Sequence, residues 1–276
     1  LIEFIIMLSP EPSAQKKTAD MSLALAALQE RSLNHYQSLD YLHGPVHGER
    51  VAAAARIIQR NTPLSERADD FLVSAGSWLH QYHAPHLEML DAVLKDCKEL
   101  NDRQRDDLYN VVLFCRPHAI IEVTEATYQS VSPRGGSLTD AAKNAARVVF
   151  DADALDLIGP SGLVREVRCN TDVRGLGLVD AIQGAYQVIE ELFATRLQTA
   201  AARTLTSDFS TVLNQWYAVW KSDPESLQMS PTLPIQVAFN QKFLDWESLL
   251  NREGARSYYP DSGQATEILF GSSSMK

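Results

Sequence analysis

Ser74-Ala-Gly-Ser-Trp-Leu-His-Gln-Tyr-His-Ala-Pro-His86 decides how the rest of the chain is read. It closes an apolar run from Glu66 in which Phe71, Leu72, Ala75, Trp78 and Leu79 recur at helical spacing. It also holds three of the seven histidines. The spacing predicts a helix over 66–80 that delivers His80 to its inner end, followed by a loop carrying His83 and His86. A buried helix end that presents an imidazole beside further histidines is a common way to assemble a metal site. The residue after His80 is Gln81, a neutral amide, and it bears on everything said of function below.

Working outward, the same helical period recurs. Leu23, Leu25, Ala26, Leu28 and Leu33 form a stripe from Asp20, and Gly44-Pro45 ends it. Pro45 suits the first position of a new helix, Val46 to about Arg60. After the histidine loop, Leu87 to Cys97 is helical, and Asn101 with Gln104 forms a variant capping box for a helix to Arg116. Residues 119–138 are irregular, with a loop at Ser132-Pro-Arg-Gly-Gly-Ser137. Thr139 or Asp140 opens a helix through Asp156, which stops near Gly159-Pro160. One long helix is expected over 178–205, another over 208–221, and a last one from Pro234. Trp216, Tyr217, Trp220, Phe243 and Trp246 fall at helical spacing and read as core. No stretch reads as a strand, so the fold class is all-α: a flexible leader at 1–19, one helical domain at 20–252 and a flexible tail at 253–276.

With 45% hydrophobic and 22% charged residues, the chain has the material for a sizeable core. A net charge of −10 argues against nucleic acid, which needs a basic face. A small-molecule substrate is the expected partner, and a homodimer is left open. Cys97, Cys115 and Cys169 are odd in number, widely spaced and without a CxxC, the pattern of a reducing compartment. Leu1–Leu8 is apolar but too short to span a bilayer, and it lacks the basic flank of a signal peptide. No membrane association is expected, and the cytoplasm is the default location.

Three constellations carry chemistry. In His43-Gly-Pro-Val-His47, Pro45 places His47 in the first turn of a helix, where the dipole favours a neutral imidazole fit for metal binding. A capping or surface histidine is the plainer alternative. His80 ends an otherwise apolar helix, where a satisfied core histidine is the alternative. Asp151-Ala-Asp153 lies among Val148, Val149, Phe150, Leu155 and Leu157, and a carboxylate there needs a partner. A metal would serve. Arg147, Arg165 or a helix N-terminus would serve as well.

Taken together, these elements resemble the HD-domain superfamily of metal-dependent phosphohydrolases. His47-Gly-Glu-Arg-Val51 matches an H-x-x-R-V helix start, and Ala75-Gly-Ser-Trp-Leu-His80 matches the helix that ends in a His-Asp pair. Asp151-Ala-Asp-Ala-Leu-Asp156, continuing through Gly159, Gly162 and Arg165, is similar to the D-A-D-x-L-D-x-x-G form of one bacterial subgroup. The resemblance covers roughly 33–205. It implies an HD-like helical bundle with additional C-terminal helices, in which His47, His80 and Asp153 ligate a divalent metal (Mn, Zn, Fe or Mg). Asp151, Gln81, His83 and His118 would be catalytic or auxiliary groups.

The family's aspartate after the second histidine is Gln81 here, a poorer ligand and a poor bridge between cations. The expected site therefore holds one ion or none. The leading expectation is a metal-dependent hydrolase of a small phosphate ester or nucleotide. The others are a divergent HD-fold enzyme performing oxidation, hydration or isomerisation, and a catalytically silent ligand-binding scaffold.

Overall fold

The computed structural model describes residues 12–40, 42–82, 86–115, 138–222 and 234–258. Among them there are helices and no strand. In chain order the helices are α1 (Pro12–Tyr36), α2 (Pro45–Asn61), α3 (Asp70–Leu79), α4 (Leu87–Asp96), α5 (Asp102–Phe114), α6 (Asp140–Leu155), α7 (Gly159–Arg168), α8 (Leu178–Glu191), α9 (Ala200–Ser222) and α10 (Pro234–Arg252). No helix is long and apolar enough to cross a membrane among these residues.

α3 is the centre of the bundle, and its composition explains why. Phe71, Leu72, Val73, Ala75, Gly76, Ser77, Trp78 and Leu79 are all buried, so no face is left for solvent. It packs against α1, α2, α5 and α6. Gly76 permits the approach of α5, because a Cβ there would stand 2.5 Å from Val111 Cγ1. Asp69 caps α3 by accepting from the Leu72 N–H, so the helix starts at Asp70 rather than Glu66. Asn101 and Gln104 form the expected capping box on α5, and Thr139 caps α6. Trp216 and Trp246 are buried, and Cys97, Cys115 and Cys169 are not joined in disulfides.

The structure departs further from the sequence reading at the leader, before α9 and at the tail. First, α1 begins at Pro12, so residues 12–19, read as flexible leader, lie within it; Pro12 stands in the first turn, and nothing from Ser13 to Ala19 breaks a helix. Second, the helix expected over 178–205 is interrupted. α8 ends in a π-turn, Leu192–Arg196, and α9 starts afresh at Ala200. No glycine or proline marks the break. Asp151 and Thr199 fix it: Asp151 Oδ1 accepts from Gln198 N–H at 2.8 Å and its Oδ2 from Thr199 N–H at 2.7 Å, while Thr199 Oγ1 accepts from Ala202 N–H at 3.1 Å. A carboxylate from another helix thus caps the N-terminus of α9.

Third, the tail does not leave the domain at Glu253. Gly254 takes φ +83°, the left-handed conformation open to glycine, while Ala255 N–H bonds back to Leu250 C=O at 3.1 Å. This C-cap turns the chain back along α2. Glu253 pairs with Arg56 and Arg60 near the far end of α2, and Arg256 makes two 2.8 Å bonds to Glu49 near its start.

Asp151 makes a pH prediction. Burial pushes its carboxyl up to about 6, against the hydrogen bonds from Gln198 and Thr199 and the Arg203 charge, which lower it. A folded value above the unfolded one means the native state gains stability as pH falls from 7 through 6 toward 4, by at most about 3 kcal/mol. Asp153 and Asp156, whose carboxyls are held low, act in the opposite sense only at more acid pH. Melting temperatures should therefore rise between pH 7 and pH 5 in the wild type. That rise should be missing in Asp151→Asn.

Candidate functional site

Three helix ends converge to form the site. His47 lies in the first turn of α2, His80 follows the last turn of α3, and Asp153 lies in the last turn of α6. Both imidazoles are buried, at 0% and 2% exposure, and Asp153 is partly exposed at the site's edge. One ligand atom from each of the three lies within 4.8 Å of the others.

The outer nitrogens of the two rings are committed. His80 Nδ1 donates to the Ser77 carbonyl at 2.6 Å, an acceptor that fixes the proton on that nitrogen. The Tyr36 hydroxyl, donated to Trp78 C=O, lies 3.1 Å from the same Nδ1. His47 Nδ1 lies 2.8 Å from Asp156 Oδ2. Arg165 Nη1 stands 2.5 Å from both of these atoms. Asp156 can only accept, and it lies nearer to His47 (2.8 Å from Nδ1) than Asp153 does (3.3 Å from Nε2), which favours a proton on Nδ1 directed at Asp156.

The inner nitrogens turn toward one another and toward Gln81, whose Nε2 lies 3.0 Å from His80 Nε2. His47 Nε2 and His80 Nε2 face each other at 3.1 Å, and Asp153 Oδ1 lies 3.3 Å from His47 Nε2. Two imidazole nitrogens bound to one tetrahedral Zn²⁺ stand about 3.3 Å apart, so the observed separation fits a shared cation. Both tautomers are fixed by a carboxylate or a carbonyl behind the ring, as in metal-binding histidines generally. Burial pushes the Asp153 carboxyl up, but the surrounding His47, His80 and Arg165 side chains hold it well below the usual range.

Asp156 is the residue that the sequence reading missed. It was visible as the third acid of the D-A-D-A-L-D run, yet no role was assigned to it. It is 1% exposed and receives four partners: Arg50 Nε on Oδ1 at 2.6 Å, and His47, Arg165 and the Tyr258 hydroxyl (2.8 Å) on Oδ2. Burial raises its carboxyl, and Arg50 and Arg165 bring it back well below the usual range. Arg50 is itself buried and bridges onward to Glu247 at 2.6 Å. Gly162 lets Arg165 arrive: a Cβ there would collide with the Leu157 backbone at 2.2 Å, so only glycine lets α7 sit this close.

The remaining sequence candidates divide as follows. Gln81 joins the site, with Nε2 3.0 Å from His80 Nε2. Asp151 does not, because both its oxygens cap α9 and it lies two residues from Asp153, about 200° around the helix. His83, His118 and the Arg134-Gly-Gly loop lie outside the described residues. His43 stands edge-on to His47 with ring centroids 6.2 Å apart, its Nδ1 held by Asp40 at 3.0 Å. A groove of about 870 Å³ between α4 and α5 shares no residue with the site and is lined by Glu88, Asp91, Lys95 and Arg105 among others. It does not bear on this chemistry.

No family model and no curated protein matches the sequence. Solved structures do match. A Lactobacillus plantarum structural-genomics target is 20% identical with a TM-score of 0.51, over 72% of this chain and 97% of its own. YpgQ of Bacillus subtilis, solved in complex with ADP, is 19% identical with a TM-score of 0.50, over 79% of this chain and 97% of its own. Likeness at this identity shows a shared all-α fold.

Proposed function

We propose that this chain is an HD-type protein that holds one divalent cation on His47, His80 and Asp153 and hydrolyses a small phosphate ester or nucleotide. The observation that carries the reading is the convergence of two imidazole nitrogens, 3.1 Å apart, and a carboxylate oxygen, all three ligand atoms within 4.8 Å of one another. A cation placed among them would be held by two nitrogens and one carboxylate oxygen at once. Two imidazoles and one carboxylate suit Zn²⁺, Mn²⁺ or Fe²⁺ better than Mg²⁺, which prefers oxygen. When bound, such an ion supplies a Lewis acid that polarises a phosphoryl oxygen and acidifies water.

The chain's own residues do the holding. Asp156 and the Ser77 carbonyl fix the two ring planes, and Asp153 faces the solvent side, from which a substrate would enter. Gln81 is placed to help: with its amide turned over, Oε1 occupies the position 3.0 Å from His80 Nε2 and offers a neutral oxygen. The ADP bound to the Bacillus subtilis neighbour makes nucleotides the first substrates to try.

The test is elemental analysis after loading with Mn²⁺, Zn²⁺ or Fe²⁺, followed by release of phosphate or pyrophosphate from a nucleotide panel. His80→Ala should lose both the bound metal and the release. No metal above trace in the loaded wild type would sink the reading.

One observation favours a second reading. In the orientation found, the Gln81 amide N–H points at the His80 Nε2 lone pair and satisfies it without a metal. The chain would then be a divergent HD-fold enzyme doing oxidation, hydration or isomerisation, or a silent scaffold. Calorimetric binding of a nucleotide by metal-free protein, unchanged on loading, is the signature of the scaffold.

A further inference from the structure

The C-terminal segment after α10 joins the metal site to the surface, and no role has been given to it. From Gly254 the chain runs back along α2 toward its N-terminus. Glu253 pairs with Arg56 and Arg60, Arg256 with Glu49, and the Ser257 hydroxyl donates to Glu247 at 2.6 Å. The first two ties lead the path toward the first turn of α2, where His47 lies, and the third holds it to α10. The segment then places Tyr258 at the site. The Tyr258 ring covers the buried Arg50 guanidinium at 4.7 Å, and its hydroxyl donates to Asp156 Oδ2 at 2.8 Å and accepts from Arg165 Nη1 at 3.4 Å.

That oxygen is the one that accepts the His47 Nδ1 proton. A carboxylate oxygen offers few lone-pair directions, and here His47, Arg165 and Tyr258 converge on one atom. Arg50 holds the other oxygen. Tyr258 thus fills the position beside His47 on Oδ2 and excludes water from it.

From these contacts we infer that residues 253–258 are a strap that completes the metal site, with Tyr258 as a positioning residue that sets the His47 ring through Asp156. The inference rests on the metal reading for its consequence, though its geometry stands without a metal. A partner behind a metal-binding histidine typically controls affinity by about 10–100-fold. Tyr258→Phe removes the hydroxyl and keeps the ring over Arg50. It should raise the Mn²⁺ or Zn²⁺ dissociation constant about 10-fold. Arg256→Glu breaks the strap's exposed tie to Glu49 and should do the same, while Arg256→Glu with Glu49→Arg should recover wild-type affinity.

A readout that needs no metal accompanies the binding curves. In metal-free full-length protein, proton–nitrogen NMR of the histidine rings should show a protected His47 Nδ1–H. Its exchange with water should quicken in Tyr258→Phe and in Arg256→Glu, and return to normal in the charge-swapped pair. If the wild type binds no metal, the functional reading fails while this exchange still decides the role of Tyr258. Unchanged exchange in Tyr258→Phe overturns the inference. So does a lower melting temperature with unchanged metal affinity, which would mark the strap as structural alone.

Discussion

Asp156→Asn is expected to cost the chain about 3–5 kcal/mol, a large share of its stability. The carboxylate is fully buried and answers two guanidiniums, Arg50 and Arg165, together with His47 and Tyr258. An amide keeps the size but loses the charge, and it turns an NH₂ toward one set of donors. Removing one partner of a buried ion pair costs about 3–5 kcal/mol, against a total of about 5–15 for a typical domain. Arg50 keeps Glu247, so the orphaned charge falls mainly on Arg165. The urea midpoint should drop by a corresponding amount, and Arg165→Met added to Asp156→Asn should recover part of the loss by removing the stranded cation. A loss under about 1 kcal/mol would mean that this buried network does not hold the α2, α6 and α7 ends together.

The fold was legible where local pattern decides and illegible where a distant partner decides. The apolar spacing of α3, Pro45 at the start of α2, and the Asn101–Gln104 and Thr139 caps are all short-range signals, and each appears in the structure. His47, His80 and Asp153 each sit in a short motif as well, and it is the resemblance to the HD-domain superfamily that groups the three. The break before α9 has one local sign, Thr199, whose hydroxyl accepts from the Ala202 N–H, but its other cause is distant: Asp151, 47 residues earlier, takes the Gln198 N–H. Asp156 gave no sign of its weight because its partners His47, Arg50 and Tyr258 lie more than 100 residues away in sequence. The docked tail was hidden for the same reason. Its Gly, Ser and charged residues read as loose, while the groups they bind, Glu49, Arg56 and Arg60, lie about 200 residues upstream.

Gln81→Asp is expected to have opposite effects on the metal-free and the metal-loaded chain, and that opposition is what makes it informative. The substitution puts a second carboxylate within reach of Asp153, beside two buried imidazoles. Without metal, the new charge lacks the amide N–H that now satisfies His80 Nε2, and it repels Asp153. Melting in chelator should therefore fall below that of the wild type. With metal, the same carboxylate is a strong anionic ligand where a neutral amide stood, and it can bridge to a second ion. Loaded to about 100 times its dissociation constant, an ion stabilises the folded state by about 2.7 kcal/mol. In a chain of this size that is a rise of about 5–10 °C, and it should be larger in Gln81→Asp than in the wild type. Metal per chain should rise toward two, and phosphate release should appear or increase. A variant that melts higher with or without metal would show that the amide never served the cation site. A variant with unchanged metal content would show that Gln81 belongs to a working site of another kind, one in which the His80 lone pair is satisfied by an amide and the chemistry is not hydrolysis.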